Sequence, residues 1–291
     1  MNNNTYNWGQ KKHDRTISSA LFYWLSKLLF NLAPSRLTRF MREKGFSVKP
    51  YLLSHYQNEL WEKAYRYDLA FNHNKIRVYE WGSGPVILLV HGWAGRGLQL
   101  DAFVEPLLKN GFKVVTFDHK GHGDSTSRFS SFPEMVRSTR LVTAQYADTL
   151  HGVVAHSIGS NSFFKTCETI ERKIKIVGIA PMENFLGWLE KMRMRIGIDE
   201  NLFAQIVHQI ETECELSLSD LCALNYEKIK RHEVLLVHDK FDRMNKINAS
   251  FEIQKNIQGT HLLQTEKLGH SRILANQGVV DSVKAFFLAP L

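Results

Sequence analysis

Val86-Ile87-Leu88-Leu89-Val90 and Val234-Leu235-Leu236-Val237 have no polar side. A strand turns successive side chains to opposite faces, so a run without polar residues suits a strand covered on both sides. These two runs sit within 85–91 and 233–238. Further apolar or alternating runs occupy 64–71, 75–81, 113–118, 151–156, 174–180 and 260–265. Between several of them lie segments of helical spacing, at 98–110, 133–148, 158–172, 244–257 and 277–288. Alternation of this kind predicts an α/β class fold, a mostly parallel sheet flanked by helices. The alternation breaks at 183–230, where helical pattern runs on without a strand. That break predicts a helical lid inserted at the C-terminal edge of the sheet, where sites of such folds lie. Lys191, Arg193 and Arg195 interleave with its apolar residues and read as its wet face.

The 291 residues hold one large α/β domain plus an appendage, or two small domains. We expect an N-terminal helical arm over 1–63 and a body over 64–291. Ten Lys or Arg and four Asp or Glu lie in 1–63, so the arm holds +6 of the net +8 and the body only +2. The basic excess is therefore absent from the body, which argues against a nucleic-acid partner. Residues 17–33 place Leu21, Trp24, Leu25 and Leu28 at helical spacing, but Lys27 interrupts any uncharged stretch long enough to span a bilayer. Two readings of the arm stay open. Its apolar face docks on the body, or residues 17–44 make a peripheral membrane contact. Three cysteines, Cys167, Cys214 and Cys222, cannot all pair and lack metal-ligand spacing, which points to a reducing compartment. The expected location is cytoplasmic, at the inner face of the membrane on the second reading.

The run at 151–156 ends in Ala155-His156-Ser157-Ile158-Gly159. A serine between small residues at a strand-to-helix turn can be held out at the top of a sheet as a nucleophile. Serine is also a common helix N-cap, so the pattern alone leaves both roles open. Other strand exits carry chemistry as well. The strand at 85–90 ends in His91-Gly92-Trp93-Ala94-Gly95-Arg96-Gly97, a loop able to turn backbone N–H groups toward developing negative charge. The strand at 233–238 leads into His238-Asp239-Lys240-Phe241-Asp242, and Gly269-His270-Ser271 follows the last strand. Asp242, Asp239 and Glu183 are all candidates for an acid beside a histidine. Outside these motifs no compact His/Asp/Glu cluster has metal-ligand spacing, so neither a metal nor another cofactor is expected.

These motifs, together with Asp118-His119-Lys120-Gly121-His122-Gly123-Asp124-Ser125, resemble those of the α/β-hydrolase fold superfamily, with Lys120 where the family's loop has Arg. The resemblance covers about 64–291 and looks closest to a bacterial serine-hydrolase subgroup. It implies Ser157 as nucleophile, His270 as base and Asp242 as the acid that orients it. It also implies the backbone N–H groups of Trp93 and Ile158 as oxyanion donors. The function so implied is cleavage of an ester or related acyl bond in a small-molecule acyl substrate, through an acyl-enzyme. The other readings are an acyltransferase, or a hydrolase-fold protein that binds a ligand or partner without turnover.

Overall fold

The computed structural model describes Trp24 and residues 34–49, 51–183 and 185–291. The described residues fall into two compact units, 48–183 with 223–291, and 34–47 with 185–222. The larger is built on eight strands: β1 (Tyr65–Phe71), β2 (Asn74–Trp81), β3 (Val86–Val90), β4 (Lys113–Phe117), β5 (Leu150–His156), β6 (Lys175–Ile179), β7 (Glu233–Asp239) and β8 (His261–Thr265). They form one sheet in the order β1-β2-β4-β3-β5-β6-β7-β8. β2 pairs antiparallel with β1 and β4, and every other pairing is parallel. Each strand lies within two residues of a run read from the sequence.

β3 shows why these runs become central strands. Ile87 and Leu89 enter one buried cluster with Val154, Val177 and Val237, while Val86, Leu88 and Val90 enter a second with Val153, Ile176 and Leu236. One strand therefore feeds two cores, one on each face of the sheet. Helices of the larger unit supply the covers, and the described helices in chain order are α1 (Pro34–Gly45), α2 (His55–Lys63), α3 (Val104–Leu108), α4 (Phe132–Ala144), α5 (Ile158–Cys167), α6 (Phe185–Ile196), α7 (Glu200–Cys214), α8 (Leu218–Cys222), α9 (Tyr226–Ile229), α10 (Asn248–Asn256), α11 (Gly269–Arg272) and α12 (Gln277–Leu288). Of these, α1 and α6 to α8 lie in the smaller unit.

Two boundaries differ from the sequence reading. Residues 48–63 belong to the sheet-bearing unit rather than to an arm ending at 63. A capping box of Ser54 and Gln57 starts α2, Leu60 enters the core, and the Trp81 indole N–H donates to the Leu60 carbonyl at 2.9 Å. At its other end the insertion is shorter than 183–230, because residues 223–230 also join the larger unit.

In the smaller unit α1 packs on α7, whose buried Leu202, Phe203, Ile206, Val207 and Ile210 make one helical stripe. The part of the arm described beyond residue 33 thus shares a unit with the insertion instead of standing alone. Arg193 is not on a wet face. It is buried and paired with Glu190 at 2.6 Å. Among the described residues no helix is long and apolar enough to cross a membrane. The helix expected over 17–33, Trp24 apart, lies outside the described residues, as do residues 17–33 of the expected membrane contact.

Candidate active site

Ser157 stands between β5 and α5 with φ 56° and ψ −131°, a conformation that L residues rarely adopt. Two glycines allow the turn to sit where it does. A Cβ on Gly159 would come 2.4 Å from the His91 carbonyl oxygen, and one on Gly92 would come 3.0 Å from Ser157 Cβ. The Ser157 N–H donates to the Ile179 carbonyl at 2.8 Å, tying the turn to β6. Ser157 holds the N-cap position of α5, yet its hydroxyl makes no cap hydrogen bond. A cap is worth about 1 kcal/mol to a helix, and here it is forgone.

The hydroxyl meets His270 instead. His270 Nε2 lies 3.1 Å from Ser157 Oγ, and His270 Nδ1 lies 2.7 Å from Asp242 Oδ2. A carboxylate only accepts, so the ring proton sits on Nδ1 and Nε2 is left to accept from the serine. Asp242 is buried, and its other oxygen accepts the N–H groups of Met244 at 2.8 Å and Asn245 at 3.0 Å. Burial alone would raise this carboxyl. The His270 imidazole and the Asn245 N–H outweigh it and hold the group below its ordinary value.

The other two acids go elsewhere. Asp239 accepts from Thr265 Oγ1 and from the N–H groups of Leu268 and Phe241, all at 2.9 Å, and so fastens the loop that carries His270 to the tip of β7. Glu183 is exposed.

Three histidines of the strand-end motifs hold the site through backbone atoms. His156 donates Nε2–H to the His270 carbonyl at 3.0 Å, and His238 donates Nε2–H to the Asn245 carbonyl at 3.1 Å. His91 accepts the His119 N–H on Nε2 at 3.0 Å and donates from Nδ1 to the Gly92 carbonyl at 2.7 Å. His122 belongs to the same group, accepting the Ala94 N–H at 3.2 Å, where Ala94 itself has φ 56°. The Trp93 indole meets the His122 ring edge-on at 5.4 Å between centroids. Burial lowers all of these imidazoles, His91 to about 4, and His122 and His156 to about 3. They are neutral ring spacers with fixed tautomers. Ile158 opens α5, so its N–H is among those that have no acceptor within the helix.

The loop from Asp118 to Ser125 is a strut beneath this group. Asp118 accepts from the N–H groups of Gly97 and Asp124, both at 2.7 Å, and from the Tyr79 hydroxyl at 2.6 Å. Arg96 reaches Asp124 at 2.9 Å. Lys120 is buried against Glu134, which accounts for a cation at that position. Beside His270, an open cleft of about 710 Å³ is lined by Phe241, Arg243, Met244 and residues 267–272.

One polar contact escapes a reading of motifs. Asn245 Nδ2 lies 3.3 Å from Ser157 Oγ and 2.9 Å from the Ala180 carbonyl oxygen. Its only trace in the sequence is a position three residues beyond Asp242, on the short loop that carries the acid.

A family model for the α/β hydrolase fold matches residues 85–213. An esterase of Pyrococcus furiosus superposes with a TM-score of 0.60 at 14% identity, covering 82% of this chain and 97% of that one. The thioesterase domain from the curacin biosynthetic pathway gives 0.55 at 18% identity, over 78% of this chain and 99% of the domain. A serine hydrolase-like protein of Danio rerio is 33% identical over 93 residues, which are 30% of this chain and 28% of that protein. The chain therefore matches little more than a quarter of that relative. Sheet order and these matches show that the chain has the α/β-hydrolase fold, and residues 85–213 are similar to that family.

Proposed function

We propose that the chain is a serine hydrolase that cleaves an ester or related acyl bond through an acyl-enzyme. The observation that carries this reading is the relay Asp242–His270–Ser157, with hydrogen bonds of 2.7 and 3.1 Å joining residues that lie far apart in sequence. Ser157 Oγ attacks the acyl carbon while its proton passes to His270 Nε2. The resulting oxyanion takes the N–H groups of Trp93 and Ile158. His270 then protonates the departing oxygen or sulfur, and the carbon keeps its bond to Oγ. Water enters by the same route: His270 takes its proton, the C–Oγ bond breaks, and the proton returns to Ser157 as the carboxylic acid leaves.

The forgone helix cap and the unusual backbone at Ser157 support this reading, because a serine with only a structural task needs neither. The esterase and thioesterase likenesses bear on the fold and leave the acyl chain and leaving group open. A fluorophosphonate probe tests the proposal directly. Wild-type protein should be labelled and Ser157→Ala should not. Folded wild type that takes no label would leave the non-catalytic binding reading in its place. A panel of p-nitrophenyl esters from acetate to palmitate, with thioesters beside it, then reads the acyl preference.

A further inference from the structure

We infer that Asn245 is a fourth catalytic residue of this site, a hydrogen-bond donor to the nucleophile oxygen. The inference rests on the serine-hydrolase reading. The orientation of the Asn245 amide follows from its partners. A main-chain carbonyl can only accept, so the group 2.9 Å from the Ala180 oxygen is the NH2 end. That same nitrogen faces Ser157 Oγ at 3.3 Å with its second hydrogen. Asn245 is itself 7% exposed. Its N–H is held by Asp242 Oδ1 at 3.0 Å and its carbonyl accepts from His238 at 3.1 Å. The side chain therefore springs from a backbone fixed on both sides, and its aim at Oγ is set before substrate arrives.

Two consequences follow for the chemistry. A hydroxyl has one proton and two lone pairs. With one lone pair taken by Asn245, the proton is directed to His270 Nε2, the only route that makes Oγ nucleophilic. In the acyl-enzyme, Oγ is the ester oxygen that must leave. As the C–Oγ bond breaks, negative charge collects on Oγ, and the Asn245 N–H meets it while His270 delivers the proton. The residue thus serves both halves of the cycle, and its contribution is largest where charge on Oγ is largest.

The test compares wild type, Asn245→Ala and Asn245→Asp. The readings are fluorophosphonate labelling rate, and kcat and KM on a p-nitrophenyl ester, each normalised to the folded fraction from near-ultraviolet circular dichroism. Asn245→Ala should lower labelling rate and kcat about 10- to 100-fold, with KM changed less than about threefold. Asn245→Asp keeps the shape but replaces the donor with an acceptor facing both Oγ and the Ala180 carbonyl, so it should be slower than Asn245→Ala. A space-filling role gives the reverse order, with the isosteric Asp the milder change, and that order would overturn the inference. So would Asn245→Ala labelled at the wild-type rate. A wild type that takes no label would overturn the hydrolase reading and this inference with it, which separates the two failures.

Discussion

His156 donates Nε2–H to the main-chain carbonyl of His270, 3.0 Å away, and the two rings lie 4.6 Å apart. His270 is thus held twice, through its ring by Asp242 and through its backbone by the residue before Ser157. His156→Ala removes the second hold without touching the relay. We expect kcat to fall about 10- to 100-fold while KM stays near its wild-type value, since a misplacement of about 1 Å costs that much. Steady-state kinetics on one ester decides it.

Asp242→Asn should cost far more. An amide nitrogen facing His270 Nδ1 would force the ring into the tautomer that cannot accept from Ser157, and loss of about 10⁴-fold in kcat is expected. His270→Ala should lose a comparable factor with the fold intact. The wild-type carboxyl, held below its ordinary value, adds stability that is full above the unfolded-state value and fades as pH falls through the folded one. The urea midpoint of wild type should therefore fall more steeply than that of Asp242→Asn below about pH 4.

The buried imidazoles give a second pH window. His91, His122 and His156 stay neutral in the folded chain down to about 4, 3 and 3, whereas an unfolded histidine binds its proton near 6.5. Between these values the unfolded state holds more protons, so stability falls as pH drops from about 6.5 toward 4. Denaturant midpoints at pH 7.5 and 4.5 should differ clearly, and His91→Gln should narrow the difference. Equal midpoints would show that these rings are protonated in place.

The backbone at Ser157 offers a test of stored strain. With φ at 56°, glycine tolerates this position better than alanine. Ser157→Gly should be more stable to urea than Ser157→Ala by about 1 kcal/mol, and on the proposed reading neither should turn over ester. If alanine is the more stable of the pair, the turn stores no strain.

The strands were legible because a strand buried on both faces writes itself as an uninterrupted apolar run, as at Val86–Val90. The strand exits that carry Ser157 and Asp242 were legible for the same reason, while His270 follows the shorter, polar-ended run of β8 and was legible from its Gly-His-Ser motif. The division into units was not. The packing of α1 on α7 joins helices distant in sequence, and an amphipathic face does not name the face it covers. Arg193 departs from the wet-face expectation because charge does not reveal its partner, and Glu190 lies one helical turn away. Asn245 stayed hidden for a different reason. A single amide in a loop has no periodicity, and its meeting with Ser157 spans 88 positions of sequence.

The order β5-β6-β7-β8 has a kinetic consequence. Each strand that carries a member of the relay joins the sheet beside one that precedes it in the chain, and the loop with His270 is anchored only once β8 has paired with β7. Long-range parallel pairing of this kind is slow to form. In a refolding chain whose β8 has not yet docked, Ser157 would lack His270 beside it and, on the proposed reading, would not react. Regain of labelling during refolding should lag behind regain of helix signal, and the lag times the docking of the last strand.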